Sequence, residues 1–275
     1  IPAGRQALIY VLVTTDPASA PRSLSHRFHI THPDSLDAPA RDTLRGPDIP
    51  VDSASPPVLS APLKAGPWLA ANGPGNLSGH RRTVIPVAGQ ARVAQRFATD
   101  WVKLGPDGRL WQGDSTRNEN WYGYREPLLA VAAGVVVDLK DGIPENVPLS
   151  PNRAVPVTME TVGGNYVIID LGGGRYAFYA HIIPGSIKVR KGDRVQPGQE
   201  IGLLGNSGNS DAPHLHFHLG DAPSPLGTEG LPFLIDSFEK LGVASENFLL
   251  PFSTTGSPDR RRAELPLQNH VVRFP

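Results

Sequence analysis

Histidine alternates with large apolar residues near residue 214. Residues 213–219 read Pro-His-Leu-His-Phe-His-Leu. Because successive side chains of a β-strand point to opposite faces, His214, His216 and His218 share one face and the apolar residues pack into the core. Neutral imidazole is a common zinc ligand, and two imidazoles at positions i and i+2 of a rigid strand lie close to one point. The segment therefore predicts a half-buried strand with a polar face wide enough for a metal ion.

Two further residues could contribute to such a site. Asp100 lies on a strand-like run, where a carboxylate serves either as a metal ligand or as a buried salt-bridge acceptor. His181 follows Ala180 at the edge of a predicted strand, on the face of Tyr179, where a histidine either packs or functions. A zinc hydrolase commonly needs three protein ligands, a general base and a group that stabilises the oxyanion. These side chains are of the required types.

Composition restricts the class of protein. The chain has 275 residues, zero formal net charge, no cysteine, and 29 each of glycine and proline. The length suits about two domains, and the glycine and proline content favours short strands joined by tight turns. Balanced charge argues against nucleic acid as a partner, and no run approaches the ~18 apolar residues needed to span a bilayer. The absence of cysteine fits a secreted or periplasmic protein, and we expect any signal peptide to have been removed.

Short strands at regular spacing predict an all-β fold with two domains. We predict that residues 1–75 form an N-terminal β-sandwich-like module followed by an extended connector. We predict that residues 76–250 form an antiparallel β-sheet domain and that residues 251–275 form an irregular C-terminal tail. We interpret the arginine run at 260–262 as a solvated turn within this tail.

The candidate residues belong to motifs that occur in a recognisable order along residues 96–220. Asp100 is followed by Tyr-Ala-His at 179–181, by a G-x-x-G-x-S-G turn at 202–208, and by Pro-His-Leu-His-Phe at 213–217. This succession resembles the LytM/lysostaphin-type zinc metallopeptidases of peptidase family M23. The resemblance implies a LytM-type, barrel-sandwich-hybrid-like β-sheet domain. It also implies a zinc-dependent endopeptidase that hydrolyses peptide bonds in bacterial peptidoglycan, with peptidoglycan peptides as its partners.

The resemblance also implies a role for each matching residue. It assigns Asp100 and His216 as zinc ligands. It assigns His181 and His214 as the catalytic pair, which accepts a proton from the attacking water and stabilises the oxyanion. These roles are consistent with the chemistry, because zinc brings the pKa of bound water close to neutrality, within reach of an imidazole.

One position departs from the family pattern. The first motif of the family is H-x-x-x-D, and Arg96 stands four residues before Asp100. A guanidinium has no lone pair and cannot ligate zinc. We expect His80, in a Gly/Ser-flanked segment, to be the third ligand, with His218, ~7 Å beyond His216, as the rival donor. If neither binds, we expect Arg96 to pair with Asp100 in a catalytically inactive M23-like binding module, which regulates another cell-wall hydrolase as its partner protein.

Overall fold

The computed structural model describes residues 8–11, 13–16, 19–32, 40–247, 250–254 and 257–275. The chain divides into two compact units, Ile1–Pro56 and Pro57–Pro275. Almost every regular element is a β-strand, and the predicted all-β class is confirmed. Among the described residues, no helix has the length and apolar character needed to cross a membrane.

The first unit contains two small antiparallel sheets in its described part. Strand β1 (Ser23–Leu24) pairs with β4 (Ile49–Pro50), and β2 (Arg27–His32) pairs with β3 (Ala40–Arg45). No group of three potential metal ligands occurs among the described residues of this unit. The group of potential ligands lies in the second unit, at His80, Asp100 and His216.

The second unit combines many short strands with two single-turn helices. Its elements are β5 (Val58–Leu59), β6 (Trp68–Ala71), α1 (Gly79–Arg82), β7 (Ile85–Val87), β8 (Gln90–Arg92), β9 (Thr99–Lys103), a 3-10 helix (Asn118–Asn120), β10 (Pro127–Leu129), β11 (Gly134–Lys140), β12 (Asn165–Asp170), β13 (Tyr176–Ile182), β14 (Arg194–Val195), β15 (Glu200–Leu203), β16 (Leu215–Gly220), β17 (Gly230–Leu231), β18 (Leu234–Val243), β19 (Asp259–Glu264) and β20 (His270–Arg273).

Twelve of these strands form one large sheet, in the order β14-β11-β12-β13-β16-β9-β6-β20-β18-β19, with β17 paired to β16 and β5 to β18. The pairing is antiparallel except for β5 with β18, which is parallel, so the expected antiparallel sheet is in fact mixed at this one place. Strands β10 and β15 form a separate pair, as do β7 and β8. The central strands β13, β16, β9 and β6 are thus flanked on both sides.

Large apolar side chains fill the core beneath the central strands. The largest fully buried ones are Trp68, Trp101, Tyr179, Phe217 and Phe233. The apolar residues of the histidine-rich segment, Leu215, Phe217 and Leu219, are also fully buried in this core. The alternation predicted for this strand is therefore confirmed.

Two segments differ from the sequence-based expectation. Strand β6 lies in the predicted connector, yet it is a central strand of the large sheet. The C-terminal tail, which was expected to be irregular, contains the strands β19 and β20. The arginine run at 260–262 belongs to β19 rather than to a turn. Strand β19 is an edge strand, and its residues show no apolar alternation. Backbone pairing with β18 orders it, and such pairing cannot be predicted from the residue pattern. The predicted boundaries at 75/76 and 250/251 stay a prediction.

A single hydroxyl in the core offers a test of this packing. The Tyr179 hydroxyl is buried and accepts the backbone N–H of Val131 at 2.9 Å. We expect Tyr179→Phe to lower the free energy of unfolding by about 1–3 kcal/mol, because it leaves a buried donor unpaired. Urea unfolding measures this change. The control Tyr122→Phe, at a half-buried tyrosine that water reaches, is expected to change stability by less than about 0.5 kcal/mol. Equal effects of the two changes would contradict this account.

Candidate metal centre

A row of directly paired residues crosses four neighbouring strands of the large sheet. Ala180 in β13 lies opposite His216 in β16, His216 lies opposite Asp100 in β9, and Asp100 lies opposite Ala71 in β6. Directly opposite residues of antiparallel strands share a face, so all four side chains point away from the core that holds Phe217. The sheet register therefore places an imidazole beside a carboxylate, with small residues on either side.

Asp100 is the centre of this cluster and is only 7% exposed. Its Oδ1 lies 2.9 Å from His216 Nδ1 and 3.4 Å from His214 Nε2. Its Oδ2 lies 3.4 Å from His80 Nε2 and accepts a hydrogen bond from Asn72 Nδ2 at 2.9 Å. Burial by itself raises the pKa of Asp100, but His80 and His214 outweigh it and hold the pKa well below its usual range. Asp100 is thus an anion surrounded by imidazoles.

Backbone carbonyls orient three of the imidazoles in the same way. A carbonyl oxygen only accepts hydrogen bonds, so a ring nitrogen beside it carries the proton. Each of these rings therefore turns Nε2 towards the site. The Nδ1–carbonyl pairs are His80 with Asn72 at 2.9 Å, His181 with Ser207 at 2.7 Å, and His214 with Ala212 at 2.8 Å.

The donor set of the cluster fits a zinc ion. His80, Asp100 and His216 each offer one ligand atom, and these atoms lie within 4.8 Å of one another. Two imidazoles and a carboxylate are ligands that zinc takes in catalytic sites. Moreover, His80 Nε2 lies 3.4 Å from Asp100 Oδ2, so that a cation between them would have a ligand atom on either side. The hydrogen bond from His80 Nδ1 to a carbonyl is also typical of metal-bound histidine.

A β-bulge directs His181 into this cluster. The register between β12 and β13 shifts between Asn165 and Val167, and His181 has a φ of 66°. Under strict alternation His181 would follow Tyr179 into the core. Its ring centroid instead lies 4.7 Å from that of His214. Burial lowers the pKa of His181 well below its usual value, and the neighbouring histidines add to this effect, so the ring is a neutral acceptor.

Close backbone packing supports the carbonyl that orients His181. The Ser207 hydroxyl accepts the N–H of Asn165 at 2.9 Å and donates to the carbonyl of Ile182 at 2.8 Å. Gly164 has a φ of 60°, and a Cβ at this position would lie 2.4 Å from Ser207. Only glycine fits this approach. The glycine-containing turn found in the sequence thus positions the carbonyl behind the histidine.

Arg96 and His218 are not among the candidate ligands of the cluster. Arg96 donates to Glu229 through Nε at 3.0 Å and also through a second guanidinium nitrogen. His218 lies behind His216, where its Nδ1 is 3.0 Å from His216 Nε2. The other ring nitrogen of His218 is buried without a hydrogen-bond partner among the described residues. His218 therefore contacts a candidate ligand, and Arg96 pairs with a different carboxylate than Asp100.

The structure brings all five predicted site residues to one cleft of about 500 Å³, whose lining includes His80, Asp100, His181, His214 and His216. Apolar side chains complete the walls, among them Ile85, Leu110, Trp121, Val162 and Leu226. Sequence reasoning missed Asn72, which contacts both Asp100 and His80. The Asn-Gly pair at 72–73 indicates a turn but gives no sign of these contacts.

Comparison with known proteins gives the class of this domain. Residues 122–226 match the model of peptidase family M23. Residues 122–226 therefore correspond to an M23 peptidase domain, as the motifs indicated. The match includes His181, His214 and His216 but begins after His80 and Asp100, so two of the three candidate ligands lie outside it.

The relatives are similar over short segments. The chain is 46% identical to peptidoglycan DD-endopeptidase ShyA of Vibrio cholerae over 56 residues, which is 20% of this chain and 13% of ShyA. It is 45% identical to glycyl-glycine endopeptidase ALE-1 of Staphylococcus capitis over 56 residues, 20% of this chain and 15% of ALE-1. The solved catalytic domain of lysostaphin from Staphylococcus simulans is 23% identical, with a TM-score of 0.29, over 46% of this chain and 86% of that domain. The matched segments thus span far less than two thirds of the curated relatives.

Substitution of the three donors tests the metal centre. We expect the purified chain to bind about one zinc ion, as a mononuclear site does. His80→Ala, Asp100→Ala and His216→Ala should each weaken zinc binding by more than about 100-fold, because each removes a ligand. Competition with a chromophoric chelator measures the affinity.

Arg96→Ala is the control for this experiment, because Arg96 pairs with Glu229 and not with Asp100. Its zinc affinity should stay within about threefold of the unaltered chain. Full-strength zinc binding by His80→Ala would remove His80 from the ligand set.

Proposed function

We propose that this chain is a zinc-dependent endopeptidase that hydrolyses peptide bonds in bacterial peptidoglycan. The observation that carries the proposal is the convergence of His80, Asp100 and His216 in one cleft, beside two histidines that turn Nε2 towards it. Three protein ligands and an adjacent base are the components that a mononuclear zinc hydrolase needs.

His80, Asp100 and His216 would hold the metal. Zinc supplies Lewis-acid chemistry at such a site, since it polarises a carbonyl and acidifies water. The single carboxylate of Asp100 gives the three-residue ligand set a charge of −1, which leaves a bound divalent cation with a net positive charge. His216 meets Asp100 through Nδ1, whereas its Nε2 faces His218. These contacts point the Nδ1 atom of His216 towards the metal position.

His181 and His214 would handle the proton and the oxyanion. Both rings present Nε2 to the cleft, because Nδ1 of each donates to a carbonyl. Burial lowers the pKa of His181. Burial also lowers the pKa of His214, but the charge of Asp100 outweighs this and raises it above the usual value. The two environments shift the two pKa values apart, which suits one imidazole to accept a proton and the other to donate a hydrogen bond to developing negative charge.

The alternative function is a catalytically inactive binding module that regulates another cell-wall hydrolase. That function predicts an ion pair between Arg96 and Asp100 in place of the metal. The guanidinium of Arg96 is instead bonded to Glu229, and three imidazoles surround Asp100. This placement supports the enzyme rather than the binding module.

The proposed substrate also implies a location. ShyA is named as a peptidoglycan DD-endopeptidase and ALE-1 as a glycyl-glycine endopeptidase. A peptide of the cell wall is therefore the proposed partner of this cleft, and a secreted or periplasmic location follows from that substrate. The apolar walls of the cleft are compatible with an uncharged peptide backbone.

Variants of the two histidines separate catalysis from metal binding. We expect His181→Ala and His214→Ala to retain zinc but to lower the hydrolysis of purified peptidoglycan by about 10²–10⁴-fold, the usual contribution of general acid–base catalysis. Release of new amino groups measures the rate, and metal analysis of the same samples measures the zinc content.

The control is His29→Ala, an exposed histidine of the first unit, which should keep both zinc and activity. Hydrolysis within about threefold of the unaltered chain would exclude a catalytic role for the histidine concerned. If the unaltered chain binds zinc but leaves peptidoglycan and its cross-linked peptides intact, the proposed reaction is wrong.

A further inference from the structure

Asn72 connects two of the candidate zinc ligands. It follows directly after β6, whose last residue, Ala71, lies opposite Asp100. The Asn72 side chain donates from Nδ2 to Asp100 Oδ2 at 2.9 Å. The Asn72 backbone carbonyl accepts a hydrogen bond from His80 Nδ1, also at 2.9 Å. One residue thus contacts a ligand in the sheet with its side chain and a ligand in the following loop with its backbone.

The direction of both hydrogen bonds is determined by chemistry. An ionised carboxylate only accepts, so the amide must present its nitrogen to Asp100. A carbonyl also only accepts, so His80 must carry its proton on Nδ1, which leaves Nε2 towards Asp100. Asn72 therefore engages one oxygen of Asp100 and sets the tautomer of His80.

The backbone of Asn72 makes this double contact possible. Its φ is 46°, in the left-handed region that asparagine tolerates better than most residues. This conformation reverses the chain after β6, so that the carbonyl faces the loop that returns with His80. The Ser78 hydroxyl donates to the same carbonyl at 2.9 Å and fixes the base of that loop.

A contribution to the core does not explain these contacts. Asn72 is exposed at the wall of the cleft, whereas Asp100 is buried. A residue in such a place adds little apolar burial, yet its amide contacts the one carboxylate of the cluster. Hydrogen bonds of this kind around a ligand typically change metal affinity by about 10–100-fold.

We propose that Asn72 is a positioning residue of the metal site, a role that rests on the proposed function. Its amide holds Asp100, and its carbonyl holds His80, so that both donors face a single ion. Asn72 lies outside residues 122–226, as do both of the ligands that it positions. The segment from β6 to α1 is thus a part of the metal site that the family match does not include.

Glycine at position 72 provides a clean test. Asn72→Gly removes the amide but keeps the backbone carbonyl and accommodates a positive φ. The matched control is Asn76→Gly, the same change in the same loop, where the side-chain oxygen of Asn76 contacts Arg81 rather than Asp100. Both variants replace an asparagine of the same loop by glycine, and only Asn72→Gly removes the hydrogen bond to Asp100.

Three measurements on the full chain distinguish the outcomes. We expect Asn72→Gly to bind zinc about 10–100-fold more weakly than Asn76→Gly, in competition with a chromophoric chelator. The absorption bands of the cobalt(II)-loaded protein should change in Asn72→Gly and not in Asn76→Gly, because they report the ligand field. Thermal unfolding in a chelator should be alike for the two variants, which shows that the fold is intact.

Equal zinc affinities and equal cobalt spectra for the two variants would overturn the role of Asn72 alone. A loss of affinity in Asn72→Gly with a matching loss of stability in chelator would also overturn it, in favour of a purely structural role. If the unaltered chain binds no zinc, the proposed function fails, and the positioning role fails with it.

Discussion

The buried negative charge of Asp100 is the constraint on which the rest of the site depends. A carboxylate that is taken out of water needs compensation by cations or by several donors. Here the donors are one asparagine amide and the rings of His80, His214 and His216. Carbonyls accept Nδ1–H of His80 and of His214, so both rings turn Nε2 towards Asp100. A divalent cation held by Asp100 and the imidazoles would also compensate the carboxylate charge.

The register of the sheet determines where the side chains of this cluster lie relative to one another. Ala180, His216, Asp100 and Ala71 form one row across four strands, so the distance between His216 and Asp100 follows from backbone pairing. The row depends on strands at both ends of the unit. Strand β20, which lies close to the C-terminus, pairs with β6 and extends the sheet to β18 and β19. Packing far along the chain thus positions groups in the cleft.

Irregular backbone supplies what regular pairing cannot. The bulge at His181 and the left-handed residue at Asn72 lie at opposite ends of the paired row, and both have positive φ values. Each departure aims a polar group at the cleft that strict alternation would direct elsewhere. Strained backbone of this kind is common where function needs a particular orientation.

The sequence alone indicated the class of the domain and most of the candidate site residues. The alternation at residues 213–219 was enough to predict that Leu215, Phe217 and Leu219 enter the core, because side-chain direction along a strand is local. The order of the motifs was enough to nominate Asp100, His181, His214 and His216. The sequence also shows Arg96 at the position of the motif histidine, which makes His80 a candidate for the third ligand.

Tertiary structure decided the relations between distant segments. Only the fold shows that His80 lies beside Asp100, that Arg96 pairs with Glu229, and that Asn72 contacts two candidate ligands. The same holds for β19 and β20, whose residues carry little periodicity and are ordered by backbone pairing with β18. The physical reason is that residue patterns encode which face a side chain takes, whereas strand register, loop return and ion-pair choice depend on non-local contacts. A bulge such as that at His181 changes even the face, and no local pattern announces it.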